Sequence, residues 1–399
     1  MSVADPVVIV AAARTPLGKF RGALAGVPAH ALGAAAMGAA LDRAGLAPDR
    51  VDEVLMGCVL PAGQGQAPAR QAARGAGLPD GTGATTINKV CGSGMKATML
   101  AHDLLLAGSA RIIVAGGMES MSGAPYLLQQ ARDGYRAGHG QIFDHMMRDG
   151  LEDAYEPGRP MGDFGEAAAA EYQFTRADQD GFAVETLTRA RRAVESGAFA
   201  AEIVPIDVPV KGGTKRIEQD EHPLSVSPER IPTLKPAFRQ DGTITAASAS
   251  ANADGAAALI LTRRSVAEAE GLPILAEIKG HATHSQAPEW YTTAPAPAIR
   301  KLLDRVGWSV DDVDLFEVNE AFAVVAMIAG RELGVDHERI NVDGGACALG
   351  HPIGATGARL IVTLLHALER RGLTRGVASL CIGGGEATAI AIERVNASA

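Results

Sequence analysis

The chain has 399 residues, 47% of them apolar and 21% charged, which is ample material for a core divided among about two or three subdomains. Its formal net charge of −9 and aromatic content of 4% argue against general nucleic-acid binding, which needs clustered cations. No run approaches the roughly 20 apolar residues of a membrane span, and the start lacks the basic segment of a secretory signal. The four cysteines form no CxxC pair, so we expect a cytoplasmic protein with reduced thiols, no membrane partner and no metal site.

Short β-branched apolar runs alternate with Ala-rich segments of helical spacing along most of the chain. This alternation predicts mostly parallel sheets with helices on their faces. In chain order, the pattern predicts a strand at 7–10, a helix at 31–44, a strand at 54–59, a helix at 94–107, strands at 112–115 and 275–278, a helix at 297–306, a strand at 315–318, helices at 321–333 and 357–370, and a strand at 377–382.

Part of the sequence is repeated. Residues 43–52 recur at 305–314 with a constant offset of 262, as Arg-x-Gly followed by Asp-x-Val-Asp. A second echo relates Gly-Gly-x-Glu at 116–119 to Gly-Gly-Glu at 384–386. Two echoes in the same order favour a duplicated α/β domain.

The stretch between the repeats differs from both. It contains charged and Gly/Pro-rich segments, little strand pattern and a helical region at 176–196. We predict an N-terminal half at 1–118 plus 241–272, an inserted loop domain at 119–240 and a C-terminal half at 273–399. Because insertions at the carboxyl ends of strands commonly hold ligands, we expect the loop domain to contact one.

Cys91 follows a strand-like segment and precedes small residues that lead into an Ala-rich helix. The partial positive charge at a helix N-terminus favours a thiolate, so this position suits a nucleophile. The alternative is a buried structural cysteine beside a tight turn.

His351 lies in a Gly-rich loop, residues 344–357, which runs into another helix. It follows Cys91 by 260 residues, close to the repeat offset, so the two helix starts are expected to face each other. An imidazole there can accept the thiol proton. The alternatives are a phosphate-binding glycine loop or a capping histidine.

Two strand ends add further candidates. Cys381 precedes Gly383, whose loop exposes N–H groups that can stabilise an oxyanion, although Cys381 alone also fits a core cysteine. Asn319 can orient a water or a carbonyl, or it can cap a helix with Glu320 in the first turn.

Together these segments resemble the thiolase family. Cys91 lies in CGSG, Asn319 in NEAF, His351 in GHPIGATG and Cys381 in CIGGG, and further matching segments cover nearly the whole chain. The resemblance implies a duplicated α/β fold, a five-layered αβαβα sandwich with an inserted loop domain. It also implies coenzyme A and acyl-CoA as substrates, with no permanently bound cofactor.

The implied activity is reversible acetyl transfer between a 3-oxoacyl-CoA and coenzyme A. In the family pattern Cys91 takes the acyl group as a thioester, His351 activates it, and Cys381 moves the proton at the α-carbon. Asn319 holds a water that completes one oxyanion hole with His351. The N–H groups of Cys91 and Gly383 form the other.

The resemblance further implies a homotetramer, a dimer of dimers, with residues 126–140 at its tetramer contacts. Coenzyme A is expected along the loop domain, and fatty acid metabolism is among the pathways implied. The positions that match the family's coenzyme A contacts are Leu151, Met161, Phe238, Ala246, Ala249, Ser250, Ala321 and Phe322.

Some positions depart from the family pattern. Pro160 and Tyr291 lie around the expected acyl pocket, and Leu224 lies near the expected nucleotide end. These departures leave acyl-chain preference and the nucleotide contacts open, while the reacting groups are intact.

Two alternatives share the fold. A ketoacyl-synthase-like condensing enzyme lacks a second catalytic cysteine, so Cys381 argues against it. A non-catalytic acyl-CoA or lipid-binding relative would have lost the nucleophile or the histidine, and this chain retains both Cys91 and His351.

Overall fold

The computed structural model describes residues 5–395 and has a mixed α/β fold. Short 3₁₀ turns lie at Pro48–Arg50, Pro228–Thr233, Pro288–Thr293, Val310–Asp312 and His337–Arg339, and a π-helical turn at Met147–Leu151. The strands are β1 (Val7–Arg14), β2 (Gly18–Lys19), β3 (Glu53–Gly57), β4 (Gly83–Ile87), β5 (Ile112–Ser120), β6 (Tyr126–Leu127), β7 (Phe143–Asp144), β8 (Ile206–Val210), β9 (Gly213–Ile217), β10 (Ala253–Arg263), β11 (Ala276–Ser285), β12 (Leu315–Val318), β13 (Arg375–Ile382) and β14 (Glu386–Arg394). The α-helices are α1 (Ala29–Ala44), α2 (Pro68–Gly75), α3 (Ser93–Ala107), α4 (Met161–Glu171), α5 (Arg176–Glu195), α6 (His222–Ser225), α7 (Arg264–Glu270), α8 (Pro295–Val306), α9 (Ala323–Leu333), α10 (Ala346–Leu349) and α11 (Ile353–Arg371).

Each strand and helix that the sequence pattern predicts is present, with ends that differ by several residues. The pattern does not predict β4, β10 or β14. The sequence of β10 is rich in alanine, which is common in helices, and β4 is a short edge strand with polar, partly exposed residues. Burial within the sheet makes β10 extended, and pairing with β3 at the sheet edge makes β4 extended.

The main sheet runs in the order β12-β13-β14-β11-β1-β10-β5-β3-β4, with β2 beside β10. β1 and β11 pair at only two positions, so a narrow seam divides the sheet into two parts. The order β4-β3-β5-β10-β1 recurs as β12-β13-β14-β11, where an isolated parallel bridge between Phe316 and Ile340 takes the place of β4. This recurrence matches the predicted duplicated α/β fold; the boundaries predicted for the domains stay a prediction.

The expectation of mostly parallel sheets is wrong. In the main sheet of the described chain, only the pairs β3–β4, β3–β5 and β12–β13 are parallel. The strands β10 and β14 are antiparallel to both of their neighbours. Strand–helix alternation indicates crossovers, but it does not show that a strand such as β14 returns through a tight turn beside β13.

Three apolar clusters separate five layers of structure. Helices α1 and α2 cover the outer face of the first sheet part, where Met37 is buried. Helices α3 and α11 lie between the two sheet parts and bury Met95 and Leu360. Helices α8 and α9 cover the outer face of the second part with Ile299 and Val324. Full burial of each such side chain stabilises the fold by roughly 1.5–3 kcal/mol.

The first sequence echo has a structural cause. The Asp52 carboxylate accepts hydrogen bonds from the backbone N–H groups of Arg111 and Ile112, before and at the start of β5, at 2.7 and 2.9 Å. Its counterpart Asp314 accepts two N–H groups at the start of β13, at 2.9 and 2.8 Å. Each aspartate therefore joins the start of one strand to the start of a neighbouring strand of the sheet in its own half.

The second echo is not a structural equivalence. Gly117 lies inside β5, where a Cβ would be 2.1 Å from the carbonyl oxygen of Gly354 on α11. Gly384 and Gly385 instead lie in the turn between β13 and β14, with φ of +93° and +89°. The same Gly-Gly sequence allows close packing in one half and forms a left-handed turn in the other.

The inserted stretch contains α4, α5, the hairpin β8–β9 and a projecting pair, β6–β7. The predicted helix at 176–196 is α5, which begins with a capping box between Thr175 and Asp178. Arg14 of β1 anchors the insertion, since its guanidinium pairs with Asp220 at 2.7 Å and with Glu202. None of the helices in the described part of the chain is long and apolar enough to cross a membrane.

Candidate active site

The starts of α3 and α11 meet at one end of the central helix layer. A Cβ at Gly94 would lie 2.9 Å from the backbone nitrogen of Ala358, and one at Gly357 would lie 2.4 Å from that of Met95. These glycines allow the two backbones to touch. Cys91 precedes α3 by two residues and His351 precedes α11 by two, so both reach the same region.

Cys91 lies in a constrained turn. Val90 adopts a left-handed conformation with φ of +46°, which costs a non-glycine residue about 1–3 kcal/mol. The Ser93 hydroxyl holds this turn, since it accepts from the N–H of Lys89 at 2.9 Å and donates to the Val90 carbonyl at 2.6 Å. The half-buried Cys91 side chain then packs between two apolar clusters.

The surroundings of Cys91 keep it protonated. Burial raises the pKa of its thiol to about 11, although the backbone N–H groups of Gly383 and of Cys91 itself oppose this shift. The charge of Glu119 raises this pKa further. At neutral pH the sulfur therefore needs a base before it can attack. The hydrogen bond from Gly383 also places the glycine loop after β13 against this sulfur.

Cys381 lies on β13, fully buried, close to Cys91. A Cβ at Gly92 would be only 2.3 Å from Cδ1 of Ile382, so the start of α3 and the end of β13 are in direct contact. Burial raises the pKa of the Cys381 thiol well above its usual value, and negative charge on Cys91 raises it further. The two sulfurs therefore share one electrostatic environment.

His351 is held as a neutral base. Its Nδ1 lies 2.6 Å from the Thr356 hydroxyl, which donates to the Pro352 carbonyl at 3.0 Å. Because that hydroxyl proton is already used, Thr356 accepts from Nδ1–H and leaves Nε2 unprotonated. Burial, and secondarily the charge of Arg359, lowers the pKa of His351 to about 3. Thr356 was missed by the sequence analysis, although it lies within the GHPIGATG motif that contains His351.

Asn319 completes this side of the site. Its Nδ2 lies 3.4 Å from His351 Nε2. Its buried Oδ1 has no hydrogen-bond partner within residues 5–395, so it is free to bind a water molecule. The helix-capping alternative is wrong, since α9 begins at Ala323 with Phe322 as its N-cap residue.

Glu320 does not lie in the first turn of a helix capped by Asn319, as considered from the sequence. Its carboxylate has a structural role. It accepts hydrogen bonds from the Thr186 hydroxyl at 3.0 Å, from Asn341 Nδ2 at 2.8 Å and from the N–H of Cys347 at 3.1 Å. Its carboxylate thus joins α5 of the insertion to Asn341 and to α10, which precedes α11.

Most of the residues matched to coenzyme A contacts line one surface. Phe238 and Phe322 pack edge to face with ring centroids 5.6 Å apart, and Met161 packs against the same apolar cluster. Ala249 forms a β-bridge with Phe322, and the N–H of Ser250 donates to the Ala321 carbonyl at 3.0 Å.

Two other matched positions lie at the edges of this surface. Leu151 packs against the apolar cluster that contains Leu60, as Cys91 also does. Ala246 is exposed in the turn before Ala249. The Met161 methyl group lies 3.5 Å from the position of a Cβ on Gly383, so this surface adjoins the loop at Cys91.

Tyr291, a departure from the family pattern, lies beside both sulfurs. Its hydroxyl donates to the Met161 carbonyl at 3.0 Å, and its ring packs edge to face with Phe164 at 6.3 Å. Burial raises the pKa of Tyr291 well above its usual value, and the charges of Cys381 and Cys91 raise it further. The phenol therefore forms part of the wall around the reacting groups.

Among residues 5–395, one group of three side chains has metal-ligand spacing: His102, Asp103 and His281. Asp103 Oδ1 lies 3.1 Å from His102 Nδ1 and 2.9 Å from His281 Nε2. Two hydrogen bonds to one carboxylate account for this grouping without an ion. The expectation that the chain binds no metal stays a prediction.

Comparison with known proteins matches both halves of the chain. Residues 7–265 match the family described as "Thiolase, N-terminal domain", and residues 272–394 match "Thiolase, C-terminal domain". Acetyl-CoA acetyltransferase from Pseudomonas aeruginosa is 50% identical over 390 residues, which covers 97% of this chain and 99% of that protein. Acetyl-CoA acetyltransferase from Escherichia coli is 50% identical over 391 residues, covering 98% and 99%.

The fold gives the same result. The crystal structure of the Bacillus anthracis acetyl-CoA acetyltransferase aligns with a TM-score of 0.95 and 43% identity, covering 98% of this chain and 99% of that one. By class, the protein is an acyltransferase, as its motifs predict. More specifically, the chain belongs to the thiolase family. The thiolase fold and thiolase activity predicted from the sequence are confirmed.

Proposed function

We propose that Cys91, His351, Cys381 and Asn319 carry out reversible acetyl transfer between a 3-oxoacyl-CoA and coenzyme A. The substrate is acetoacetyl-CoA or a longer homologue, and the reverse reaction is Claisen condensation of acetyl-CoA. The observation that carries this proposal is the pairing of a protonated thiol, Cys91, with a neutral imidazole, His351, at two helix starts that touch.

Cleavage begins with the Cys91 thiol. Its proton passes to Nε2 of His351, and the sulfur attacks the C3 carbonyl of the 3-oxoacyl-CoA. The C2–C3 bond breaks and its electron pair moves to C2, which generates the enolate of acetyl-CoA. Cys381 gives its proton to C2, so acetyl-CoA leaves and the remaining acyl group stays on Cys91 as a thioester.

A coenzyme A thiol completes the cycle. It loses its proton to the Cys381 thiolate and attacks the thioester carbonyl. Cys91 then leaves as a thiolate and regains its proton from His351. Each proton is returned to the group that gave it, so no other co-reactant is needed.

Two places can stabilise the negative charge that develops on oxygen. The N–H groups of Gly383 and Cys91 both donate toward the Cys91 sulfur, so they surround an acyl group attached there. Asn319 and His351 lie together, with Nδ2 and Nε2 3.4 Å apart, and a water bound to Asn319 would complete the second hole. A reaction with two thioester oxygens in turn needs both.

The remaining contacts follow from the same proposal. Coenzyme A would lie along the loop domain, against the surface that contains Phe238 and Phe322. The exposed side chains of Tyr126 and Leu128, at 66% and 53%, lie in the stretch 126–140 and support an interface in a homotetramer. We also propose a cytoplasmic location, a role in fatty acid metabolism, and no nucleic-acid or membrane partner.

The test combines turnover with trapping of the intermediate. The protein is mixed with acetyl-CoA, digested and analysed by mass spectrometry, and CoA-dependent loss of acetoacetyl-CoA is followed separately. We expect a thioester on the peptide that contains Cys91 and consumption of acetoacetyl-CoA only when coenzyme A is present. Absence of both would overturn the proposal.

A further inference from the structure

Glu119 is a fully buried carboxylate at the end of β5, directly behind the site. Its Oε2 accepts hydrogen bonds from the backbone N–H groups of Gly354 at 2.8 Å and Val59 at 3.0 Å. Its Oε1 accepts from the N–H of Leu60 at 3.1 Å and lies 3.6 Å from the Cys58 sulfur. No lysine, arginine or histidine in the described part of the chain forms an ion pair with it.

These hydrogen bonds join two segments that hold reacting groups. Gly354 is the second residue of α11, three residues after His351, and its N–H is among the free donors at the helix start. A carboxylate is favourable at that end of a helix. Val59 and Leu60 belong to the loop after β3, which packs in the same apolar cluster as Cys91.

The space around Gly354 is shaped to the carboxylate. A Cβ at Gly354 would lie 2.6 Å from Oε2 of Glu119 and 2.9 Å from the Cα of Cys58. No larger residue fits there unless the start of α11 moves away from the loop after β3. The carboxylate therefore sets how closely the His351 turn approaches the wall beside Cys91.

The charge of Glu119 also reaches the thiol. Burial raises the pKa of Glu119 to about 7, against the opposing effect of its backbone hydrogen bonds. The negative charge of Glu119 in turn contributes to the raised pKa of Cys91. Loss of that charge should make the Cys91 thiolate easier to form.

We propose that Glu119 is a positioning residue for the thiolase reaction, holding the turn of His351 against the loop that walls the Cys91 side chain. It acts through the placement of these two groups and does not touch the substrate. The proposal rests on the proposed function of Cys91 and His351 as proton-transfer partners.

The experiment compares Glu119→Gln with the wild-type protein in thiolysis of acetoacetyl-CoA. We expect kcat to fall by about 10- to 100-fold, because a misplacement of about 1 Å costs up to about 10²-fold, with KM changed by less than about threefold. The pH midpoint for alkylation of Cys91 by iodoacetamide should move to lower pH. Glu119→Asp retains the charge but is shorter, so it should show a smaller loss of kcat and little change in midpoint.

Asp52→Asn is the matched control. Asp52 lies before β3 and binds two backbone N–H groups at the opposite end of β5, far along the strand from the site. We expect this variant to lower the melting temperature and to leave kcat and the alkylation midpoint unchanged. If Glu119→Gln behaves in the same way, with kcat within about twofold of wild type, Glu119 is only structural and the proposal is overturned.

The readouts also separate this proposal from the proposed function. If the wild-type protein neither cleaves acetoacetyl-CoA nor forms an acyl-Cys91 thioester, the proposed function fails. Alkylation of Cys91 needs no turnover, so equal midpoints in wild type and Glu119→Gln would still count against Glu119. If Glu119→Gln does not fold, Glu119→Asp decides, and wild-type kcat in that variant overturns the proposal.

Discussion

The two halves of the molecule share one strand order but contribute opposite chemistry. In the N-terminal half the helix start at α3 carries Cys91 in a strained turn, and in the C-terminal half the start at α11 carries His351 bonded to Thr356. Close packing of the two helices brings both to one place. The two halves thus share one geometry, and in the proposed mechanism one half supplies a proton donor and the other an acceptor.

Burial affects the two halves in complementary ways. It raises the pKa of the Cys91 thiol to about 11 and lowers the pKa of the His351 imidazole to about 3. Both groups are therefore uncharged at neutral pH, because desolvation disfavours the charged form of each. In the proposed mechanism neither half generates the thiolate alone, so the reaction needs both.

The largest effect should come from removing the Cys91 thiol, which the N-terminal half contributes. Cys91→Ala is expected to lower kcat by at least about 10⁴-fold, since loss of a nucleophile removes the covalent route altogether. Turnover of acetoacetyl-CoA and trapping of labelled acyl-enzyme measure this. Label at the wild-type level in the variant would refute the assignment of Cys91.

Removing the second thiol should separate the two half-reactions. Cys381→Ala should still allow acetyl-CoA to acylate Cys91, while condensation and thiolysis fall by about 10³-fold, within the range for loss of a general acid–base group. Burst-phase acylation and steady-state turnover are measured on the same sample. Equal loss of both steps would contradict a role confined to the α-carbon proton.

Asn319→Ala should have a smaller effect. Loss of one oxyanion-hole donor costs about 10²- to 10³-fold in kcat, and the nearby imidazole of His351 stays in place. We expect about 10²-fold, with an unchanged melting temperature within about 2 °C. Asn319→Asp is a useful companion variant, since it retains the size but places a negative charge beside His351 Nε2. Wild-type kcat in the alanine variant would remove Asn319 from the site.

The pH dependence of Cys91 alkylation should be steep and of definite sign. Below a pKa of about 11 the Cys91 thiol is mostly protonated, so alkylation in the free enzyme should rise about tenfold per pH unit from pH 7 to 10. With a pKa of about 3, His351 stays neutral above pH 5, so a loss of activity near pH 6.5 should come from protonation of Glu119, whose pKa is about 7, and not from His351. A midpoint near neutral pH for the alkylation of Cys91 would contradict the conclusion that burial raises the pKa of its thiol.

The smallest expected effect concerns the wall of the pocket. Tyr291→Met removes the hydroxyl that donates to Met161 and the ring that packs on Phe164. We expect the ratio of thiolysis rates for a six-carbon 3-oxoacyl-CoA and acetoacetyl-CoA to change by up to about tenfold, as for one methylene in an apolar pocket. A ratio identical to wild type would show that Tyr291 does not select the acyl chain.

Local sequence was enough to predict the family and most strands and helices, and to single out the residues proposed to carry the chemistry. Periodicity reveals a helix such as α11 because the pattern lies within a few consecutive turns. The motifs around Cys91, His351 and Cys381 are short and contiguous, so each can be recognised without its neighbours in space. The repeat that contains Asp52 and Asp314 can be recognised in the sequence for the same reason.

Only the tertiary structure decided the strand directions, the protonation states of Cys91 and His351, and the contacts that support the site. The contact between Glu119 and Gly354 joins residues 235 positions apart, and that between Tyr291 and Met161 joins residues 130 apart. No local pattern contains such pairs, because they arise from how helices and strands pack. Burial likewise belongs to the folded molecule, and burial sets the pKa values on which the proposed proton transfer between Cys91 and His351 depends.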